Sequence, residues 1–168
     1  MGVNVFLSYP EEYVREADAL LRLLGTHNIQ CYSFKHTKSL PGTDFTETIQ
    51  RNLNSANFIV LFWGRESVTK WIEAEIQYAY SLNKKIVPVL VDNSTPLPEI
   101  LCTTQAVVSY EDPYMWVLHV AFAIGALSKQ DYYNQQHQLE EERRRQQMTA
   151  DLGAVGVGAI GLGAAAFS

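Results

Sequence analysis

The sequence lacks most of the signatures that would assign an activity directly. Its two cysteines, Cys31 and Cys102, show no CxxC or Cys/His spacing of the kind that binds zinc, and its four histidines are scattered. It contains no GxSxG motif, no P-loop and no Ser/His/Asp arrangement typical of hydrolases. We therefore expect no metal site and no resident cofactor, and we expect both cysteines to be free, buried thiols in a reducing cytosol.

Basic residues are also few. The chain has 13 Lys and Arg against 18 Asp and Glu, a net charge of −5, which argues against nucleic acid as a partner. The first residues lack the charged and long apolar segments of a signal peptide, so we expect a cytoplasmic location. With 47% apolar residues, the chain can nevertheless bury a substantial core.

The composition divides the chain into three parts. Residues 1–128 form one domain-sized segment, and residues 129–151 form a charged segment in which Glu140–Glu142 precedes Arg143–Arg145, the pattern of an exposed helical extension. Residues 152–168 contain no charged side chain and five of the ten glycines. Three interpretations of this tail stay open: a flexible or self-associating segment, a short membrane segment, or a segment packed against another copy.

Strand and helix patterns alternate through the first part. Apolar, β-branched runs predict strands at residues 3–7, 29–33, 56–62, 85–91 and 105–109. Helical spacing predicts helices at residues 14–24, with Gly25 as the cap, at 45–53, at 70–82 and from Pro113 through Leu127. This alternation indicates an α/β, flavodoxin-like three-layer fold with a five-stranded parallel sheet and a helical C-terminal extension.

Sites in such folds lie at the carboxyl ends of the strands. This rule directs attention to Ser8 and Tyr9 after the first strand, to Phe34 and Lys35 after the second, and to residues 63–69 after the third. Tyr9 and Phe34 are equally compatible with packing in the core and with lining a pocket.

Glu75 is the most informative single residue. On a helical wheel it falls among the apolar positions Ile72, Ile76 and Ala79, whereas Glu73 falls on the polar side. A carboxylate on a core-facing arc is costly unless it is paired or used. Two interpretations stay open: a carboxylate at a functional site, or a glutamate at the rim of the arc that turns to water or pairs with an arginine.

Four segments in order resemble the TIR (Toll/interleukin-1 receptor) domain. Residues 5–9, Val-Phe-Leu-Ser-Tyr, resemble the opening strand motif, and residues 40–45, Leu-Pro-Gly-Thr-Asp-Phe, resemble the BB loop. Residues 58–62 with Ser67, Trp71 and Glu75 resemble the third strand and the Trp-x-x-x-Glu segment, and residues 86–91 resemble the fourth strand. The resemblance covers residues 3 to about 128 and is to the NAD-cleaving type that is common in bacteria.

The resemblance implies an activity and its catalytic residue. Some TIR domains cleave NAD+ at the bond between nicotinamide and ribose, either as hydrolases or as cyclising enzymes, in immune, antiviral or cell-death signalling. Their essential acid is the Glu of Trp-x-x-x-Glu, which maps onto Glu75. NAD+ is then a substrate, and no cofactor is implied.

The resemblance also implies the surroundings of that glutamate. Ser8, Tyr9, Phe34, Lys35 and Trp71 are the expected substrate-binding residues, with simple packing as the alternative role for Trp71. Some catalytic relatives carry basic residues after the first-strand Ser-Tyr, where this chain has Pro10-Glu11-Glu12. Phosphate contacts are therefore expected from Lys35, Lys38 or backbone amides.

The main rival within the resemblance is a TIR domain that only assembles. Many family members are adaptors that recruit other TIR domains, and catalytic members are often active only as oligomers. In both cases we expect homo-oligomers through TIR–TIR contacts, with Leu40, Pro41 and Gly42 in the assembly loop. Glu75 favours the enzyme, and contact of the tail with a membrane remains an open expectation.

Overall fold

The chain divides into two compact units, Met1–Ser128 and Lys129–Ser168. The structure is a computed structural model that describes residues 2–36 and 47–166; for His36 and for residues 155–166 only the backbone is described. The predicted assembly loop with Leu40, Pro41 and Gly42, together with Lys38, lies outside the described residues.

The first unit alternates strands and helices as predicted. Its strands are β1 (Asn4–Pro10), β2 (Gln30–His36), β3 (Phe58–Trp63), β4 (Lys85–Leu90) and β5 (Val107–Val108). Its helices are α1 (Val14–Thr26), α2 (Glu47–Ser55), α3 (Lys70–Ser81) and α4 (Trp116–Ala123). All strand pairs are parallel and the order across the sheet is β2-β1-β3-β4-β5, which confirms the predicted flavodoxin-like α/β fold.

Apolar residues on both faces of the central strands create two cores. β3 is buried along almost its whole length, as expected for a central strand covered by helices on both sides. One face of the sheet packs with α2 and α3 in a cluster that includes Phe6, Leu61 and Ile72. Alternation along each strand turns the intervening side chains, such as Tyr9 and Phe62, to the opposite face.

The helix ends differ from the sequence prediction. Gly25 lies within α1 rather than capping it, and the left-handed turn that follows the helix is made by Asn28, with φ 54°. Asparagine tolerates this conformation because its short polar side chain can hydrogen-bond locally. The helix predicted through Leu127 ends at Ala123, because Gly125 adopts φ 74° and breaks it.

The cysteines also differ in part from expectation. Both are free, as predicted, but Cys102 is exposed and Cys31 is only half-buried. Burial raises the pKa of Cys31 to about 11, so this thiol stays protonated and unreactive at neutral pH.

The second unit is a single helix, α5 (Lys129–Ala166). It is separated from α4 by the break at Gly125 and so does not extend the preceding helix directly. Side chains from Glu140 to Ala154 are all exposed, and Glu141 lies near both His137 and Arg145 one turn away on either side. No helix in the described part of the chain is both long enough and apolar enough to cross a bilayer.

The completely buried Leu53 tests the core between α2 and the sheet. We expect Leu53→Ala to lower the free energy of unfolding by about 2–5 kcal/mol, because it removes buried methyl groups and leaves a cavity. Urea denaturation followed by circular dichroism measures this change. The exposed Val68 is the matched control: Val68→Ala should change stability by less than about 0.5 kcal/mol. Equal effects of the two substitutions would contradict this description of the core.

Candidate functional site

The site begins at the carboxyl end of β1, between β1 and β3. Within the sheet, β2 lies beside one edge of β1 and β3 lies beside the other edge. The direction in which successive strands are added therefore reverses at β1. A crevice at such a reversal is where open α/β sheets bind ligands. Ser8 lies here, in register with Phe34 of β2 and Leu61 of β3.

α3 brings Glu75 to Ser8. The helix begins with a side-chain cap, in which the Thr69 hydroxyl accepts a hydrogen bond from the Ile72 N–H. Ile72, Ile76 and Ala79 form its buried stripe, and Glu75 lies within that stripe.

Ser8 and Glu75 form a buried polar pair. Glu75 is 3% exposed and Ser8 is 1% exposed. The Ser8 hydroxyl donates a hydrogen bond to Oε2 of Glu75. The alternative of a glutamate at the rim that turns to water is therefore wrong, because the carboxyl group is buried against Ser8.

Of the two predicted aromatic residues on the strands, Tyr9 and Phe34, only Phe34 shares the face of the sheet that carries this pair. Phe34 is half-buried against the α2–α3 core and is the register partner of Ser8. Tyr9 points to the other face, where its ring meets Phe62 edge-on at a centroid distance of 6.1 Å. Tyr9 is 5% exposed there, so the structure makes it a core residue and corrects its predicted place in the pocket.

Trp71 and Lys35 lie at the margins of the site. Trp71 is one helical turn before Glu75 and is 39% exposed, so it stands at the rim of the crevice rather than in the core. Lys35 is exposed and in register with Tyr9, which directs it away from the face that carries Ser8. The structure thus brings together Ser8, Phe34 and Glu75.

Two side chains from distant segments hold the loop that leads into α3. The Glu66 N–H donates to the Tyr13 hydroxyl at 2.9 Å, and the Arg65 N–H donates to Oδ2 of Asp92 at 2.8 Å. Tyr13 comes shortly after β1, and Asp92 comes shortly after β4. We call Tyr13, Asp92 and the backbone that they hold the clasp.

The loop is also tied to itself. The Ser67 hydroxyl accepts from the Gly64 N–H at 3.1 Å and donates to the Phe62 carbonyl at 2.8 Å. A Cβ on Gly64 would lie 2.5 Å from atoms of Asp92, Tyr13 and Val91, so only glycine fits against the clasp.

Electrostatics within the clasp favour a charged Asp92 and a neutral Tyr13. Burial opposes the charge of Asp92, but hydrogen bonds from the backbone of Arg65, Ser94 and Thr95 and from the Ser94 hydroxyl outweigh it. The pKa of Asp92 therefore lies below its ordinary value. Burial raises the pKa of Tyr13, so its hydroxyl remains protonated.

A separate groove of about 460 Å³ lies between α3 and the turn after β4, on a different side of α3 from Glu75. It is lined by Glu73, Ile76, Gln77, Pro98, Glu99 and Ile100. Its volume and its apolar lining make this groove a candidate for a ligand site. We favour the crevice instead, because the groove contains no buried polar group and the crevice contains two.

The described residues hold no cluster of three or more His, Cys, Asp or Glu side chains that could bind a metal. The acidic side chain at this end of the sheet is the buried Glu75. A buried, oriented carboxylate can stabilise a developing positive charge and can accept hydrogen bonds from hydroxyl groups of a ligand.

The clasp residues Tyr13 and Asp92 were not among the predicted site residues. Asp92 could have been predicted from the sequence, because it comes shortly after a buried strand, at the carboxyl end of the sheet where sites occur. Tyr13 could not have been predicted, since nothing in its local sequence indicates a contact with a residue 53 positions away.

Comparisons with known proteins agree with this architecture. The family model described as "TIR domain" matches residues 5–117. The TIR domain of the Toll-related receptor TRR-2 from Hydra magnipapillata is 16% identical with a TM-score of 0.55, and the match covers 71% of this chain and 96% of that one. A flavodoxin-like domain from Synechococcus is 15% identical with a TM-score of 0.52, covering 73% and 93%. No curated protein matches the chain.

Removal of the Ser8 hydroxyl tests the buried pair. We expect Ser8→Ala to lower the free energy of unfolding at pH 7 by about 1–3 kcal/mol, because a buried carboxylate loses a hydrogen-bond donor. Chemical denaturation measures the difference. The matched control is Ser33→Ala on the neighbouring strand, where the side chain is exposed and a negligible change is expected. A Ser8→Ala variant as stable as Ser33→Ala would contradict the assignment of the pair.

Acid should weaken the clasp. Because the pKa of Asp92 is lowered in the folded state, its charge stabilises the fold at a pH above the unfolded value of about 4. This contribution is lost as the pH falls through the lower, folded pKa. The stability difference between the wild-type protein and Asp92→Asn should therefore shrink between about pH 5 and pH 2. A difference that is constant over this range would exclude the proposed charge on Asp92.

Proposed function

Because this chain belongs to the TIR domain family of signalling domains, we propose that it cleaves NAD+ at the bond between nicotinamide and ribose, with Glu75 as the catalytic residue. The observation that carries the proposal is the buried carboxylate of Glu75, held by Ser8 at the strand-order reversal. A carboxylate enclosed at a ligand-binding crevice is costly for the fold, and a function in the crevice explains its presence there.

The chemistry suits a single carboxylate. When the glycosidic bond breaks, its electron pair moves to the ring nitrogen, and nicotinamide leaves as a neutral molecule that needs no strong general acid. The ribose carbon develops oxocarbenium character. Glu75 stabilises that charge and accepts hydrogen bonds from the ribose hydroxyls. A water molecule then forms the new bond to carbon and releases a proton, or a group within ADP-ribose forms it in a cyclising enzyme.

The neighbouring residues have roles that follow from their positions. Ser8 orients the carboxylate through its hydrogen bond. Phe34, half-buried beside Ser8, offers an aromatic surface to the nicotinamide ring. Trp71 at the rim can cover the substrate as it enters. Tyr9 has no role in this proposal, because its ring lies on the other face of the sheet.

A second function is favoured by a different observation. TIR domains in general interact through TIR–TIR contacts. Val68 in the loop before α3 and Trp71 in the first turn of α3, three residues apart, are large apolar side chains that are exposed to solvent. Exposed apolar groups of this kind are typical of interaction surfaces. The alternative to an enzyme is therefore a non-catalytic scaffold that assembles with other TIR domains, and assembly is also the proposed activator of the enzyme.

The proposal is tested by nicotinamide release from NAD+ by the purified full chain, with and without a crowding agent that promotes assembly. We expect the wild-type protein to release nicotinamide, and Glu75→Gln to reduce the rate about 100-fold or more, because the charge that stabilises the transition state is removed. The matched control is Glu73→Gln on the exposed side of the same helix, which should retain the wild-type rate.

Two results would contradict the catalytic assignment. Retention of the rate by a folded Glu75→Gln variant would exclude Glu75 as the catalytic residue. Oligomers of the wild-type protein that release no nicotinamide would favour the scaffold instead.

A further inference from the structure

We propose that Tyr13 and Asp92 are positioning residues that set the placement of Glu75 against Ser8 by fixing the loop before α3. The proposal rests on the cleavage of NAD+ proposed above. Neither side chain belongs to the Ser8–Glu75 pair, so both act on the reaction through the backbone that they hold.

The clasp joins the two segments of the chain that carry Ser8 and Glu75. Tyr13 follows Ser8 by five residues, and Glu66 precedes Glu75 by nine residues. The hydrogen bond from the Glu66 N–H to the Tyr13 hydroxyl therefore joins the segment that carries the serine to the segment that carries the glutamate. The hydrogen bond between Ser8 and Glu75 joins the same two segments at the other end.

The segment between these two hydrogen bonds, from Glu66 to Glu75, is held in place along its length. Ser67 closes the loop onto Phe62 and Gly64, and Thr69 caps the first turn of α3. Ile72 and Ile76 then lock the helix into the core on either side of Glu75. A shift of the loop is therefore passed along the helix to the carboxylate rather than absorbed by a flexible hinge.

Asp92 holds the same loop from the end of β4. Its Oδ1 is held by the N–H and hydroxyl of Ser94, which leaves Oδ2 in a fixed position to accept from the Arg65 N–H. Asp92 thus connects the loop to the end of β4, whereas Tyr13 connects it to the end of β1. Two neighbouring amides of the loop, those of Arg65 and Glu66, are in this way held from two different strands.

Positioning matters because a displacement of about 1 Å at a catalytic group can cost about 100-fold in rate. Loss of the clasp should therefore reduce kcat while changing KM little, since Glu75 acts most strongly in the transition state. A merely structural role would instead reduce the amount of folded protein without changing the rate per folded molecule.

The test compares full-length variants at a temperature where circular dichroism shows each to be folded. Tyr13→Phe keeps the ring and removes the hydroxyl, and Asp92→Ala removes the carboxylate. We expect each to reduce kcat for NAD+ about tenfold with KM within about twofold. Asp92→Asn keeps an oxygen that can accept from the Arg65 N–H, so it should restore most of kcat. Tyr110→Phe, at an exposed tyrosine outside α3 and the clasp, is the matched control and should match the wild-type protein.

A second measurement separates this proposal from the proposed function. In ¹H–¹⁵N spectra without NAD+, Tyr13→Phe and Asp92→Ala should shift the amide resonances of Ser8 and Glu75, and Tyr110→Phe should leave those two resonances in place. These shifts are expected even if the wild-type protein releases no nicotinamide. That result would overturn the proposed cleavage of NAD+, but the proposal that Tyr13 and Asp92 position Glu75 would still stand. Unmoved Ser8 and Glu75 resonances, or a kcat within twofold of wild-type in folded Tyr13→Phe and Asp92→Ala, would overturn the clasp as a positioning device.

Discussion

The hydrogen bond between Ser8 and Glu75 is the constraint around which the first unit is arranged. A carboxylate that is 3% exposed is tolerated only where a polar group meets it, and the Ser8 hydroxyl at the end of β1 is such a group. The hydrogen bond and the buried Ile72, Ile76 and Ala79 turn the same side of α3 toward the sheet. Glu75 therefore lies at the strand-order reversal, the place where open α/β sheets bind ligands.

One helix therefore presents two different surfaces. Its buried stripe carries Glu75 among isoleucine and alanine side chains, and the exposed Trp71 and Tyr80 flank that stripe on opposite sides of the helix. The buried stripe thus holds the carboxylate to which we assign the proposed activity, while the exposed side chains are open to contact with other molecules.

Periodicity was sufficient to predict the sheet and the location of Glu75. The unbroken apolar runs of β3 and β4 and the helical wheel of α3 are local patterns that the core enforces. Helix ends were less predictable, because Asn28 rather than Gly25 supplies the left-handed turn after α1. Tyr9 was misplaced because adjacent residues of a strand point to opposite faces, so Ser8 and Tyr9 cannot both face one pocket.

The clasp marks the limit of prediction from the sequence. Tyr13, Arg65 and Asp92 come from separate segments, and their contacts arise only when the strands lie side by side. Backbone N–H groups are the donors in both contacts, so no pattern of side chains indicates them.

We propose that NAD+ binds beside Ser8 and Glu75 rather than in the groove beside Ile76 and Ile100. This proposal is tested most directly by titrating NAD+ into the Glu75→Gln variant, which should bind the substrate without consuming it, while ¹H–¹⁵N spectra are recorded. We expect the amide resonances of Ser8, Phe34 and residue 75 to shift and that of Ile100 to change little. Shifts confined to the groove, or no shifts at millimolar NAD+, would contradict it.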